Sequence, residues 1–220
     1  MMFDDEFDGA GLNLALWQPN WLGPNNAAVT KPVNDAERSC YDPAQVNVSG
    51  GSLHLDAAAR PCTANNGTTY RYASGLVNTR GRFTFTYGHL EARVWVPSGS
   101  GAVTDWPAFW ADGTGTWPTT GENDVFEGLN GKDCYHFHSP VGGPGNCASP
   151  ANPSGWHVFA ASWSPGSVTY FYDGAAVGTI TKGVTSAPMY LILNLGVGGY
   201  GGAIQAPATM LVDYVRVWKI

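Results

Sequence analysis

Three carboxylates fall within six residues of this chain: Glu122, Asp124 and Glu127, in the stretch Gly121 to Gly128, GENDVFEG. Charged residues make up only 13 % of the 220, so the cluster is not a by-product of an acidic composition. Aromatic sequence flanks it, with WPAFW upstream (Trp106 to Trp110) and YHFH downstream (Tyr135 to His138). Acids set among tryptophans and histidines point to chemistry on a sugar. Read as a strand, Glu122 and Asp124 share a face, because side chains alternate with period two. Glu127, five positions after Glu122, would point the other way. A β-bulge at Val125-Phe126, two residues opposite one, returns it to the face of Glu122.

Retaining glycoside hydrolysis needs this kind of convergence. One carboxylate attacks and a second carboxyl, roughly 5–5.5 Å away, gives and takes a proton. Neighbouring carboxylates raise each other's pKa by repulsion, which keeps a proton available near neutral pH. Asp124 lies between the other two and can hydrogen-bond Glu122. A calcium site or an acidic surface edge would use the same residue types. Phe126 and the tryptophan-rich neighbour do not suit a solvated acidic loop, so catalysis is the favoured reading.

The stretch WPTTGENDVFEG resembles the active-site strand of glycoside hydrolase family 16, in its laminarinase-type members with the bulged pattern E-x-D-x-x-E. Trp117-Pro118 and Gly121 fit that pattern, and Asn123 departs from its usual aliphatic, at a position expected to face away from a cleft. Supporting segments are WPAFW, SGLVNTRGRFTFTYGHLEAR and PMYLILNL, and the likeness runs from FDDEF to VDYVRVW. The resemblance implies Glu122 as nucleophile, Asp124 as its helper and Glu127 as acid/base. It implies an all-β fold, a jelly-roll β-sandwich of two curved antiparallel sheets with a concave substrate cleft. It also places Glu91 and Arg93 in that cleft and makes Asn194 a substrate contact. His138 matches the family histidine of a T-x-H type segment, and His136 replaces its neighbour.

The whole chain sets bounds consistent with this. Its length suits one all-β domain over residues 1–220. Net charge is −6, which disfavours nucleic acid and anionic membranes as partners. Glycine (29) and proline (15) supply the turns that many short strands require. No apolar run is long enough for a membrane-spanning helix. Met1 to Glu6 is acidic from the start, unlike a secretory leader, and the expectation is a trimmed, exported, monomeric domain. Four cysteines allow three pairings. The expected ones are local, Cys40–Cys62 and Cys134–Cys147, which would imply an oxidising, extracellular location. Four free thiols, or a zinc site using His136 and His138, are the alternatives, and no C-x-x-C spacing supports zinc.

The remaining elements read as strands. VNVSGGSLHLD (Val46 to Asp56) is a hairpin signal around Gly50-Gly51. Leu76 to Pro97 reads as one long β run, with Glu91, Arg93 and Trp95 on one face; a Glu–Arg salt bridge is what spacing alone would suggest. Trp106, Ala108 and Trp110 share a face and offer stacking surface to pyranose rings, or else pack in a core. Trp117 is a further stacking candidate, and Trp21 is a platform or a loop anchor. His136 and His138 share a face and suit sugar hydroxyls or an acid. Trp156 to Ile180 reads as a meander with a tight Asp173-Gly174 turn. Asn194 stands alone in an apolar run and needs a partner or a ligand. In the last strand Asp213 faces the same way as aliphatics and also needs a partner, a salt bridge being one solution. The resemblance implies a structural calcium there, held by the Asp213 side chain and backbone oxygens near Glu6 and Gly51. No cofactor is expected for catalysis.

The expected activity is endo-acting, retaining cleavage of β-glucan, most of all β-1,3-glucan. A mixed-linkage β-1,3-1,4-glucanase, a galactan-active relative and a transglycosylase use the same acids. A lectin-like module would share the tryptophans but needs no acid triad.

Overall fold

The computed structural model describes residues 1–148, 153 and 155–220. It is built almost entirely of strands, with one short 3-10 turn at Pro43–Gln45. The strands of the two main sheets are β1 (Phe3–Asp5), β2 (Ser39–Tyr41), β3 (Val46–Ser49), β4 (Ser52–Ala58), β5 (Tyr72–Ser74), β6 (Leu76–Asn78), β7 (Gly88–Val96), β8 (Trp106–Gly113), β9 (Glu122–Leu129), β10 (Lys132–His138), β11 (Gly145–Cys147), β12 (Gly155–Ser164), β13 (Ser167–Tyr172), β14 (Ala175–Ile180), β15 (Met189–Gly196) and β16 (Ala208–Trp218). A ten-stranded sheet runs β14-β13-β12-β7-β16-β4-β5-β2, with β1 added to β16 and β3 to β4. A six-stranded sheet runs β11-β10-β9-β8-β15-β6. None of the helices described is long and apolar enough to cross a membrane.

Alternation explains how the sheets pack. On β7, Leu90, Ala92, Val94 and Val96 are fully buried, while His89, Glu91, Arg93 and Trp95 look outward. On β15, Leu191, Leu193 and Leu195 join the same core. Phe126 of the six-stranded sheet stacks on Phe159 of the ten-stranded sheet with ring centroids 4.0 Å apart. Burying such side chains contributes about 1.5–3 kcal/mol each. The meander closes as expected, with Asp173 and Gly174 at φ 49° and 77° making the β13–β14 turn. Gly50 and Gly51 turn β3 into β4.

The long β run expected over Leu76 to Pro97 is a correction. Its start, β6, pairs with β15 in the six-stranded sheet, whereas β7 sits in the ten-stranded sheet. Between them the chain turns at Gly81 and crosses from one layer to the other. Alternating sequence marks extended backbone but carries no sign of a change of sheet. Both local disulfides form, Cys40 with Cys62 and Cys134 with Cys147.

Candidate active site

Gly121 opens the acid strand. Its φ is +84°, which favours glycine, and a Cβ there would crowd Thr185, Met189 and Phe137. From Glu122 onward the chain pairs on both sides. Against β8, Glu122 faces Asp112, Asp124 faces Trp110 and Glu127 faces Ala108. Against β10 the three acids face His138, His136 and Cys134. The partner positions step evenly by two, while the acids do not. The difference is a bulge, which falls between Asp124 and Glu127 in the β10 register. Val125 and Phe126 are both fully buried in the core, one after the other. All three carboxylates therefore emerge on the face of the sheet turned away from the core. Asn123 points inward, where the Tyr170 hydroxyl donates to its Oδ1 at 2.8 Å.

That face floors a cleft of about 820 Å³. The acids line it with Asp112, Trp106, Trp110, Trp117, His136, His138 and Asn194, and one bank comes from Trp21 and the loop around Lys31 to Glu37. Trp106 Nε1 donates to Glu127 Oε1 at 2.9 Å. His136 Nδ1 lies 3.5 Å from Glu127 Oε2. His138 Nε2 lies 3.4 Å from Asp124 Oδ2 and 3.8 Å from Glu122 Oε1. β11 pairs along β10, with Gly145 opposite His136. A Cβ at Gly143 would run into the His138 ring and one at Gly145 into the His136 ring. The glycine-rich loop closed by Cys134–Cys147 thus packs directly on the two imidazoles.

The electrostatics are those of crowded acid in a poorly solvated place. Burial holds Asp124 well above the usual carboxylate range, and the charges of Glu127 and Asp112 push it further. Burial also raises Glu122, helped by Asp124, while His138 works the other way. The two share a hydrogen bond. The Asp124 side chain is 6 % exposed against 20 % for Glu122, and both carboxyls are held above their usual range.

Several expected contacts are placed differently. Glu91 and Arg93 lie on the outward face of the ten-stranded sheet, across the sandwich from the cleft. There the Tyr214 hydroxyl donates to Glu91 at 2.9 Å, and Arg93 pairs with Asp213 at 2.7 Å. Their alternation was read correctly, but parity along a strand does not say which layer the strand occupies. Asn194 lies in the cleft wall with its amide already engaged. Its Oδ1 accepts from Trp110 Nε1 at 2.8 Å and its Nδ2 donates to the Tyr41 hydroxyl at 3.0 Å. Trp110 is itself 6 % exposed and faces Trp21 at 5.8 Å, so it supports the wall more than it offers a stacking surface. Trp117 is 56 % exposed and free to stack. The side chains of the expected calcium region have other partners. Glu6 is held by Arg216 through two hydrogen bonds of 2.7 and 2.8 Å, and Asp213 by Arg93. As arranged, the Asp213 carboxylate, the one side-chain ligand expected there, already has a guanidinium partner.

Three acids lining the cleft, Asp35, Glu37 and Asp112, escaped the sequence reading. Asp112 follows Trp110 by two on the same strand face, a signal that alternation supplied. Glu37 sits in a loop with no periodic signal; it is 7 % exposed, accepts from the Tyr41 hydroxyl at 2.5 Å, and burial pushes it up to about 7.

Comparison with known proteins agrees with the geometry. The family model described as Glycosyl hydrolases family 16 matches residues 36–216. The endo-1,3-1,4-beta-glycanase EglC of Rhizobium meliloti (strain 1021) is 32 % identical over 99 % of this chain and 51 % of its own length. The glucan endo-1,3-beta-glucosidase A1 of Niallia circulans is 31 % identical over 100 % of this chain and 38 % of its own. The chain thus spans about half or less of the length of these curated relatives. Among solved structures, the endo-beta-1,3-glucanase of Pyrococcus furiosus superposes with a TM-score of 0.84 at 29 % identity, covering 100 % of this chain and 94 % of that one. With the strand order, the bulged acid strand and the sequence match in agreement, the chain belongs to glycosyl hydrolases family 16.

Proposed function

We propose that the chain is an endo-acting, retaining hydrolase of β-glucan, with β-1,3-glucan as its main substrate. The observation that carries this is the bulge, which brings Glu122, Asp124 and Glu127 to one cleft face beside tryptophans. Glu122 attacks the anomeric carbon and forms a glycosyl-enzyme; Glu127 protonates the departing oxygen and then takes a proton from the incoming water. Asp124 shares a hydrogen bond with Glu122, which orients the nucleophile. Trp106 fixes one oxygen of Glu127 and leaves the other to the cleft. Trp117 stacks on a pyranose ring, and His136 and His138 meet hydroxyls near the point of cleavage. A lectin would gain nothing from burying three carboxylates together at the cost this entails.

The relatives named above as a glucan endo-1,3-beta-glucosidase and an endo-1,3-1,4-beta-glycanase support the polymer class, and mixed 1,3-1,4 linkage is the runner-up. The two disulfides support a protein that works outside the reducing cytoplasm. Product analysis on laminarin, curdlan, lichenan, cellulose, galactan and agar tests the reading, with Glu127→Ala as control. Oligosaccharides from laminarin, absent in the control, are expected. Cleavage of lichenan alone would move the linkage, and binding without products from any polymer would overturn the hydrolase reading.

A further inference from the structure

Asp124, His136 and His138 have a property that sugar chemistry does not require. One ligand-type atom of each lies within 4.8 Å of the others, and among the described residues they are the one such triad of metal-ligating side chains. Asp124 is 4 % exposed and its Oδ2 has no hydrogen-bond partner; His136 Nδ1 is likewise buried without one. Asp124 Oδ2 and His138 Nε2 are 3.4 Å apart. Two ligands of a tetrahedral Zn²⁺, each about 2.0–2.2 Å from the ion, lie at about that separation. The glycine loop packs on both rings, and all three residues line the cleft.

We propose that Asp124, His136 and His138 form a binding site for a borderline divalent metal ion of the Zn²⁺ type, which closes the catalytic cleft reversibly. Two imidazoles and one carboxylate suit Zn²⁺ or Cu²⁺, and they offer too few oxygens for Ca²⁺ or Mg²⁺. Binding engages the Asp124 carboxylate. It takes the residue beside Glu122 and sets a double positive charge among the catalytic carboxylates. His136 makes the difference: with threonine there, only two ligands remain.

Calorimetric titration of the intact protein with zinc chloride, near neutral pH and without polysaccharide, tests the site. One zinc ion per chain is expected. His136→Thr should weaken binding about tenfold or more, as loss of a ligand costs at least what loss of its supporting partner does. His54→Ala, whose ring rests on Ser49, should leave it unchanged. Histidine ring resonances of the unmutated protein provide a reading that needs no variant: zinc should move those of His136 and His138 and spare His54, His89 and His157. Equal affinity in His136→Thr, no saturable binding, or shifts confined to the other three rings would overturn the proposal. Because no glucan is present, failure of the hydrolase reading would leave this result standing, and the converse also holds.

Discussion

The two outer faces of the sandwich use the same residue types to opposite effect. On the ten-stranded sheet, Glu6 and Asp213 are matched by Arg216 and Arg93, Glu91 accepts from Tyr214, and Arg93 also lies over the Trp156 ring at 4.6 Å. These groups are partly solvated, and pairs of this kind contribute about 0–1 kcal/mol. On the six-stranded sheet, among the described residues, the three acids meet no arginine or lysine, only the imidazoles of His136 and His138. Burial there is left uncompensated, and it raises Glu122 and Asp124 above the usual carboxylate range. Charges paired with guanidinium groups in this way have little left to offer a ligand. Carboxyls buried without such partners keep that capacity.

Mutations can break this contrast at its extremes. The largest effect is expected for Glu122→Gln, which should lower turnover by at least about 10³-fold while leaving fold and oligosaccharide binding intact. Single-turnover kinetics with circular dichroism would check it, and near-normal activity would remove Glu122 as nucleophile. Trp106→Phe takes away the donor to Glu127. A hydrogen bond to a charged group contributes about 1.5–3 kcal/mol, so kcat should fall about tenfold or more with a smaller change in KM.

Glu37 sharpens the contrast through pH. Its folded form, held up at about 7, keeps a proton that the unfolded chain releases above its ordinary value of 4.5. Its stability contribution is therefore complete below about pH 4.5 and declines as pH rises to about 7. Glu37→Gln imitates the protonated acid and should flatten that part of the Tm profile. Asp105, raised by burial to about 6, and Asp133, raised by burial to about 7, give a residual slope of the same sign. An unchanged profile would mean that Glu37 does not hold its proton. The smallest effect belongs to the matched face. Arg93→Ala should cost at most about 1 kcal/mol in denaturant unfolding, and kcat/KM on glucan should not move. A large loss of activity would return Arg93 to a functional role.

The sequence alone determined what is local. Period-two alternation put Trp106, Ala108 and Trp110 on one face, and the five-residue gap between Glu122 and Glu127 required a bulge, which is where the chain has it. The hairpins at Gly50-Gly51 and Asp173-Gly174 follow from turn chemistry, and the disulfides join cysteines near in sequence. Each of these depends on backbone geometry within a few residues. What only the tertiary structure decided depends on which layer a strand joins and on what meets it from afar. Glu91 and Arg93 have the right parity and the wrong sheet. Asn194 does have the partners its isolation demanded, but they are Trp110 and Tyr41, 84 and 153 positions away. Glu37 enters the cleft from a loop that no period describes, and the Asp124, His136 and His138 triad exists only because β9 and β10 pair in this register. Alternation fixes the side of a strand on which a residue stands, but its partners are set by packing between sheets.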